Sequence, residues 1–384
     1  MHVRVAMSSF RFNHQGGIER ASYELARALS ARGIDITLVA NAVDPAVEPP
    51  LAWHPVSMPR IPGFSIPMVY STRATRSLGS ERFDILHNQG GCALRQQDVI
   101  TAHSCHRAWW TMKFHQGEAA RALLNPHHRA VLHVEKANYR PEAYSRVIAV
   151  SAGVGRELSK YYDVPPERIR VIPNAVDHAK FQPHDAAARR AHIRGWHGIG
   201  ADDTVLLWVG KEFRRKGVEP LIAALPALPL SAKALIVGGD DQAPYRALAK
   251  QLGVADRVIF AGHSPKVEDY FAAADVFVLP TLYEAFALVT LEAAAAGLPL
   301  VTTKVNGTED FVVDGENGLF IKRDPGSIAA ALTALVTDPE RRRRMGDAAR
   351  QAVSGYTWES VAARTREVYE EVVAERRGLE RLRP

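Results

Sequence analysis

Short apolar runs alternate with amphipathic stretches along nearly the whole chain. Continuous apolar runs of this length are typical of strands buried on both faces. In the first half the runs are Val3–Ser8, Asp35–Ala40, Ile85–His87, Val99–Ala102, Val147–Val150 and Ile169–Ile172; the second half has Val205–Gly210, Ala234–Gly238, Val258–Gly262, Val276–Pro280 and Leu300–Thr303. Helical patterns such as Ile18–Ser30 separate them. The predicted fold class is therefore α/β, with two doubly wound, Rossmann-like domains and a cleft between them.

The boundary between the two series is expected in Pro173–Asp185, where prolines and polar turn residues replace the periodic pattern. A chain of 384 residues is too long for one ordinary core and suits two domains of about 150–200 residues each. We predict domains at residues 1–175 and 176–357. Residues 358–384 follow the second domain and contain the last helical pattern, Trp358–Arg376. We expect this C-terminal helix to pack back on the first domain.

Composition and charge exclude several classes of protein. The 47% hydrophobic and 23% charged residues are typical of a soluble globular protein, and no apolar run approaches the ~20 residues that span a bilayer. Cys92 and Cys105 have no CxxC spacing, which favours a reducing cytoplasm over a disulfide framework or zinc knuckle. The net charge of +6 favours anionic partners such as nucleotides and phosphates. No basic motif indicates binding to nucleic acid.

Two carboxylates bracket the junction between a predicted strand and helix in Glu284–Glu292, which reads EAFALVTLE. Open α/β sheets bind ligands in the crevice at this end of their strands. If Glu284 lies in the loop, it can accept a hydrogen bond from a sugar hydroxyl. Glu292 lies in an otherwise apolar helix and can accept from the two hydroxyls of a ribose. The alternative is that either acid is only solvated at the surface.

Two glycine-containing loops also join a strand to a helix. In Phe10–Gly17, the pair Gly16-Gly17 lets the backbone approach a ligand ahead of exposed helix N–H groups, unless it is only a tight turn. In Gly210–Gly217, which reads GKEFRRKG, the cations Arg215 and Lys216 suit a pyrophosphate, whereas Arg214 is compatible with a solvated loop. Neither loop is a GxGxxG or Walker sequence, which argues against a nicotinamide, flavin or P-loop site.

Histidines follow the predicted strand Val99–Ala102. His103 is expected to face the ligand crevice, where it can bond a sugar or its leaving phosphate; a histidine bonded only to nearby backbone is the alternative. His106, His127, His128 and His133 raise the question of a metal site. No HxxxH pair with a carboxylate partner stands out, so no metal is predicted.

Taken together, these motifs resemble those of the retaining glycosyltransferases of family 4, which have the two-domain GT-B fold. The matching segments run in family order across nearly the whole chain. They are GGIER (Gly16–Arg20), TAHS (Thr101–Ser104), VIPNAVD (Val171–Asp177), VGKEFRRKG (Val209–Gly217), EAFALVTLEAAAAGLPLVTT (Glu284–Thr303) and DGENGLF (Asp314–Phe320). Within the family, the chain is loosely similar to enzymes that glucosylate the lipopolysaccharide core.

The resemblance implies roles for the matching residues. Arg215 and Lys216 would hold the donor pyrophosphate, Glu292 the ribose and Glu284 the donor sugar, while His103 would contact that sugar near the reacting carbon. The implied catalytic residues are His103, Arg215, Lys216 and Glu284, and the implied donor-binding residues are Gly16, Gly17, Gly210, Arg215, Lys216, Glu284, Phe286, Ala287, Leu288, Val289 and Glu292.

Enzymes of this family transfer a sugar from a nucleoside diphosphate sugar with retention at the anomeric carbon, generally without a bound metal or other cofactor. We therefore predict transfer of a hexose from a UDP-sugar to an unidentified acceptor, such as a cell-envelope glycan or lipid-linked saccharide. The alternatives are a nucleotide-sugar epimerase or phosphorylase of the same architecture, and a non-catalytic nucleotide-sugar-binding protein.

The chain departs from the family pattern in the donor loops. After the first acid the family usually has Gly-Phe-Gly, whereas this chain has Ala285-Phe286-Ala287. The two β-carbons narrow the space beside the sugar and disfavour positive φ, which leaves the identity of the donor sugar open. Lys211 stands where the family commonly has Arg.

The chain also contains an aromatic and basic segment, Arg107–Phe114, which reads RAWWTMKF. Such a segment can lie in a membrane interface, which predicts a peripheral contact with the inner face of the cell membrane. The alternative is that Trp109 and Trp110 belong to the core or to an acceptor pocket.

Overall fold

The computed structural model describes residues 3–13, 16–44, 51–90, 94, 97–115 and 125–381. His14 and Gln15 of the first glycine loop, Cys92 and residues 382–384 of the C-terminal segment lie outside these ranges. The chain divides into two compact units, Met1–Ala175 with Trp358–Pro384, and Val176–Thr357. Within the described ranges, no helix is both long enough and apolar enough to cross a membrane.

The first unit is built on a seven-stranded parallel sheet of order β5-β3-β1-β6-β7-β8-β9. Its strands are β1 (Arg4–Ser8), β3 (Asp35–Ala40), β5 (Ala52–Pro55), β6 (Ile85–Asn88), β7 (Val99–Ala102), β8 (Arg146–Ala149) and β9 (Ile169–Val171), and β2 (Arg11–Phe12) pairs separately with β4 (Ala42–Val43). Its helices are α1 (Gly17–Ala31), α2 (Ile66–Ser77), α3 (His106–His115), α4 (Pro126–Asn138), α5 (Ala152–Tyr162) and α15 (Trp358–Arg381). The strand order reverses between β1 and β6.

The core of the first unit joins the two ends of the chain. Helix α1 is amphipathic, and its apolar stripe includes the buried residues Leu25 and Leu29. Tyr369 and Val372 of α15 belong to the same apolar cluster, together with Met7 of β1. The last helix is therefore an integral part of this unit.

The second unit contains a six-stranded parallel sheet of order β12-β11-β10-β13-β14-β15. Its strands are β10 (Thr204–Val209), β11 (Ala232–Val237), β12 (Val258–Gly262), β13 (Val276–Leu279), β14 (Leu300–Thr303) and β15 (Gly318–Ile321). Its helices are α6 (His178–Phe181), α7 (Ala186–Trp196), α8 (Phe213–Lys216), α9 (Val218–Ala224), α10 (Ala243–Gln251), α11 (Val267–Ala273), α12 (Leu288–Ala295), α13 (Pro325–Val336) and α14 (Pro339–Ala352). This is the doubly wound order of dinucleotide-binding folds, and it reverses between β10 and β13.

The predicted fold class, α/β with two doubly wound, Rossmann-like domains, is confirmed. Strands β3, β7, β12 and β14 have the predicted bounds, and the other predicted strands differ by one or two residues. Strands β2, β4, β5 and β15 were not predicted. The edge strand β5 is largely exposed, so its sequence has no continuous apolar run.

Candidate active site

The strand reversal in the second unit brings the predicted cationic loop and the predicted acid together. Strands β10 and β13 are neighbours in the sheet, and their carboxyl ends lie on the same edge because they are parallel. The segment after β10 forms α8, which carries Arg215 and Lys216. The segment after β13 carries Glu284. These side chains therefore meet where doubly wound sheets bind their ligands.

One oxygen of Glu284 is the centre of this cluster. Its Oε1 lies 2.9 Å from Arg215 Nη1 and 3.0 Å from Lys216 Nζ. Thr281 Oγ1 donates to the same oxygen at 3.2 Å. Burial by itself would raise the pKa of the Glu284 carboxyl, but the Lys216 and Arg215 cations bring it below its ordinary value. The carboxylate is therefore ionised at neutral pH and holds both cations in place.

The backbone around α8 is fixed by two glycines. Gly217 has a φ of +84°, and a β-carbon there would lie 2.1 Å from the carbonyl oxygen of Pro280, so this position requires glycine. A β-carbon at Gly210 would lie 2.7 Å from Lys216 Cδ, so the lysine stem passes directly over this glycine. Trp208 Nε1 donates to the Lys216 carbonyl at 3.0 Å. Lys216 is thus positioned by close packing as well as by its ion pair.

The segment between the two acids is closely packed. Phe286 and Ala287 are buried, and a β-carbon at Gly307 would lie 2.8 Å from Phe286 Cα. Neither Ala285 nor Ala287 has a positive φ; that of Ala287 is −76°. The two alanines are therefore accommodated without the backbone conformation that glycine would permit.

Helix α12 begins directly after this segment. The N–H of Leu288, one of the implied donor-binding residues, donates to the Phe286 carbonyl at 2.9 Å. Val289 lies in the first turn, and Glu292 follows with its side chain buried in the apolar helix. The contact of Glu292 with a polar ligand stays a prediction.

The first unit presents its predicted residues at the equivalent edge of its own sheet. Gly16 and Gly17 are exposed at the start of α1, and Gly16 has a φ of +89°. His103 follows β7, and its Nε2 lies 3.1 Å from Gln89 Oε1. Burial lowers the pKa of His103 to about 4, so its imidazole is neutral at physiological pH. Gln89 was not predicted; its signal in the sequence is the polar HNQG after the apolar start of β6.

The other histidines near His103 form a hydrogen-bonded pair. His106 Nε2 lies 2.9 Å from His128 Nδ1. Glu135 accepts from the backbone N–H groups of His106 and Arg107 at 2.7 and 3.0 Å. In the part of the chain that the structure describes, no group of three or more His, Cys, Asp or Glu side chains could hold a metal ion.

The aromatic segment Arg107–Phe114 lies on α3. Trp109 and Trp110 are half-buried. Lys113 Nζ lies 4.8 Å from the centre of the Trp109 ring, and Arg107 Cζ lies 4.9 Å from that of Trp110. Each tryptophan therefore pairs with a cation and is only partly covered by the core.

Comparison with known proteins decides the family. A family model described as Glycosyltransferase Family 4 matches residues 15–180, and one described as Glycosyl transferases group 1 matches residues 190–352. A D-inositol 3-phosphate glycosyltransferase of Xylanimonas cellulosilytica is 30% identical over 94% of this chain and 93% of its own length. The chain belongs to the family 4 glycosyltransferases.

Solved structures resemble this glycosyltransferase over nearly its whole length. WaaG, a glycosyltransferase involved in lipopolysaccharide biosynthesis, has a TM-score of 0.80 and 23% identity, covering 95% of this chain and 99% of WaaG. HepE of Anabaena, solved in complex with UDP and glucose, has a TM-score of 0.74 and 18% identity, covering 96% of this chain and 100% of HepE. The GT-B fold implied by the sequence resemblance is confirmed.

Proposed function

We propose that this glycosyltransferase transfers a hexose from a UDP-sugar to a carbohydrate acceptor, with retention at the anomeric carbon and without a metal ion. The observation that carries the proposal is the convergence of Arg215 and Lys216 on one oxygen of Glu284, at the reversal point of the second sheet. Lys216 Nζ has further N–H donors beyond the one that bonds the carboxylate, and Arg215, which also bonds Glu212 and the Tyr283 carbonyl, adds a second positive charge. These donors suit the two phosphates of a nucleoside diphosphate, whose negative charge grows as the sugar leaves.

In the proposal, Glu284 binds the sugar half of the donor. Its Oε1 bonds the two cations, whereas its Oε2 has no hydrogen-bond partner among the described residues. An ionised oxygen of this kind accepts a hydrogen bond from a sugar hydroxyl. In the proposal, Glu292 accepts from the ribose, the loops at Gly16-Gly17 and Gly210 give phosphates close access to the backbone, and His103 bonds a substrate hydroxyl.

The choice of a uridine donor and of the acceptor class rests on the relatives. HepE was solved in complex with UDP-glucose, and WaaG is involved in lipopolysaccharide biosynthesis. The relative from Xylanimonas cellulosilytica is a D-inositol 3-phosphate glycosyltransferase. We propose an acceptor of the same general kind, a polar sugar or cyclitol that carries anionic groups, such as a cell-envelope glycan or a lipid-linked saccharide.

Donor binding tests the proposal. Titration of UDP-glucose, UDP-galactose, UDP-N-acetylglucosamine and GDP-mannose should raise the melting temperature for the true donor, since a ligand that binds only the folded state stabilises it. Lys216→Ala should weaken binding of that donor at least tenfold, because the diphosphate loses a charge-assisted hydrogen bond worth roughly 1.5–3 kcal/mol. Lys250→Ala, which removes an exposed lysine of α10, is the control.

The outcomes separate the alternatives. Near-normal donor affinity in Lys216→Ala would contradict the diphosphate assignment. Proton NMR of the glycoside product reads its anomeric configuration, and an inverted product would contradict retention. Release of an epimerised nucleotide sugar would indicate an epimerase, and binding without any product in the presence of candidate acceptors would favour a binding protein. Undiminished turnover in EDTA is expected.

A peripheral membrane contact through Arg107–Phe114 is a separate part of the proposal. It is supported by the two half-buried tryptophans of α3, each with a cation near its ring. Tryptophan and basic residues on one segment favour the interface of an anionic membrane.

A further inference from the structure

A buried chain of polar side chains connects His103 to the last helix of the protein. Tyr369 Oη on α15 lies 2.6 Å from His87 Nδ1, and Thr101 Oγ1 lies 2.8 Å from His87 Nε2. The side-chain nitrogen of Gln89 lies 3.2 Å from His87 Nε2, and its oxygen lies 3.1 Å from His103 Nε2. Tyr369, His87 and Gln89 have no exposed surface.

This chain of contacts lies where the order of the first sheet reverses. His87 belongs to β6, and Gln89 follows directly after the strand, beside β1. Gly90 then turns with a φ of +74°, and a β-carbon there would lie 3.0 Å from the Thr101 carbonyl. The tight turn therefore brings Gln89 against the residues at the end of β7, which lead into His103. Reversal points are where sheets of this kind bind ligands.

The contacts of Gln89 orient its amide. His87 is held at both ring nitrogens, by Tyr369 and by Thr101. The Gln89 side-chain nitrogen is placed towards this fixed ring, which leaves the Gln89 oxygen towards His103. An amide oxygen only accepts hydrogen bonds, so His103 Nε2 must be the donor.

This arrangement selects one tautomer of His103. A neutral imidazole carries a single N–H, and with that proton on Nε2 the other nitrogen, Nδ1, is an acceptor. Nδ1 has no hydrogen-bond partner within the described ranges, and His103 borders a small cavity with Gly90, Ala102 and Ser104. A hydroxyl group of a substrate is the chemistry that Nδ1 can bind.

We infer that Gln89, held by His87 and Tyr369, is a positioning residue that fixes the tautomer of His103 in which Nδ1 accepts a hydrogen bond from a substrate hydroxyl. The consequence for activity rests on the proposed function, whereas the tautomer does not. Without Gln89, the proton is free to move to Nδ1, and His103 then presents a donor where an acceptor is required.

The first experiment measures the tautomer without substrate. Two-bond ¹H–¹⁵N correlation spectra of protein labelled at histidine distinguish the two neutral forms, and His103→Gln identifies the His103 signals. The wild type at pH 7.5 should show Nε2–H. Gln89→Met, which removes the acceptor but keeps a side chain of similar length, should show a mixture or Nδ1–H. A wild type in the Nδ1–H form, or an unchanged tautomer in Gln89→Met, would overturn the inference.

Gln97→Met is the matched control. Gln97 is a second buried glutamine of the same unit; it accepts from Asn88 at 2.8 Å, and its amide nitrogen donates to Asn138 at 3.3 Å. No hydrogen bond joins it to His103 among the described residues. Loss of this glutamine should lower the melting temperature but leave the His103 tautomer unchanged. A tautomer shift of equal size in both variants would mean that loss of packing, not Gln89, is responsible.

The second experiment reads the effect on turnover. With the donor found by titration, Gln89→Met should lower kcat about tenfold and change the donor dissociation constant less than twofold, whereas Gln97→Met should keep kcat within twofold. Equal kcat in wild type and Gln89→Met would overturn the positioning role. If the wild type binds no nucleotide sugar, the proposed function fails, and the tautomer measurement still decides the inference.

Discussion

Lys216 Nζ lies 3.0 Å from Glu284 Oε1, although the two residues come from separate loops. The contact exists because each loop follows one of two neighbouring parallel strands, β10 and β13. Arg215 bonds the same oxygen, so one carboxylate holds two cations. A ligand diphosphate would bind to a cationic site that is already assembled, which reduces the entropy lost on binding.

Glu284→Gln should have different effects on the binding of UDP and on the binding of the UDP-sugar. The amide removes the negative charge, so UDP alone should bind as well as to the wild type or more tightly, because the cations no longer share a carboxylate. The UDP-sugar should lose affinity relative to UDP, because its hydroxyl loses an ionised acceptor. Calorimetric titration of both ligands gives the two constants.

Glu212→Gln is the control for this prediction, since Glu212 pairs with the same arginine but its side chain is 61% exposed. An exposed pair contributes about 0–1 kcal/mol, so little change is expected in either affinity. Equal losses of UDP and UDP-sugar affinity in Glu284→Gln would instead assign this acid to the nucleotide.

Glu292→Gln tests the ribose contact. If Glu292 accepts from the ribose hydroxyls, wild-type protein should bind UDP more tightly than 2′-deoxy-UDP, and the variant should reduce that difference. Every uridine donor should be weakened by a similar factor. Glu316→Gln, at an exposed position of the same unit, should preserve the wild-type difference. A variant that alters only the preference among sugars would show that the roles of Glu292 and Glu284 are exchanged.

Gly217→Ala should destabilise the second unit and impair donor binding. The new β-carbon would require a left-handed backbone and would lie 2.1 Å from the Pro280 carbonyl oxygen, which displaces α8 from the end of β13. Gly253→Ala is matched in backbone, with a φ of +71°, but its β-carbon meets nothing within 4 Å. In Gly253→Ala the free energy of unfolding should fall only by the conformational cost of about 1–2 kcal/mol. Melting temperatures that fall equally would show that the contact with Pro280 relaxes without cost.

Acid should destabilise the first unit partly through His87. Burial, with a smaller contribution from His103, lowers the pKa of His87 to about 3 from 6.5. The unfolded chain therefore takes up a proton below pH 6.5 that the folded chain binds only near pH 3, so stability is lost as the pH falls through this window, by up to about 1.4 kcal/mol per unit.

His87→Gln should therefore show a smaller fall in melting temperature between pH 7 and pH 5 than the wild type. His184→Gln, at an exposed histidine, should keep the wild-type slope. Some slope will remain in His87→Gln because burial also lowers the pKa of His103 and His106 to about 4. An unchanged slope in His87→Gln would show that this ring is not protonated on unfolding.

Flotation with liposomes tests the membrane proposal. Protein should rise with vesicles that contain phosphatidylglycerol and remain at the bottom with phosphatidylcholine alone. The double variant Trp109→Ser, Lys113→Ser should bind less, because it removes a stacked pair from α3. Trp53→Ser with Arg60→Ser removes a tryptophan and a cation from another exposed region and should bind as the wild type does. Protein that stays at the bottom with anionic vesicles would end the proposal.

Much of the candidate site was predictable because each loop carries its own local signal. Gly16 and Gly217 turn with positive φ at helix ends, Gly210 directly follows β10, and Arg215, Lys216 and Glu284 are polar residues in segments that follow buried strands. Their sequence positions assign the cations and the acid to different parts of a ligand. The bond between them was not predictable, because their separation in the chain gives no local pattern.

The sequence by itself determined where most strands lie, since burial on both faces requires continuous apolar runs, and it marked several turns by their glycines. Only the tertiary structure decided which strands are neighbours, and therefore which loops share an edge. It also placed Tyr369 against His87, a pair 282 residues apart. The physical reason is that such contacts depend on strand order and on the packing of α15 into the core, which local periodicity does not encode.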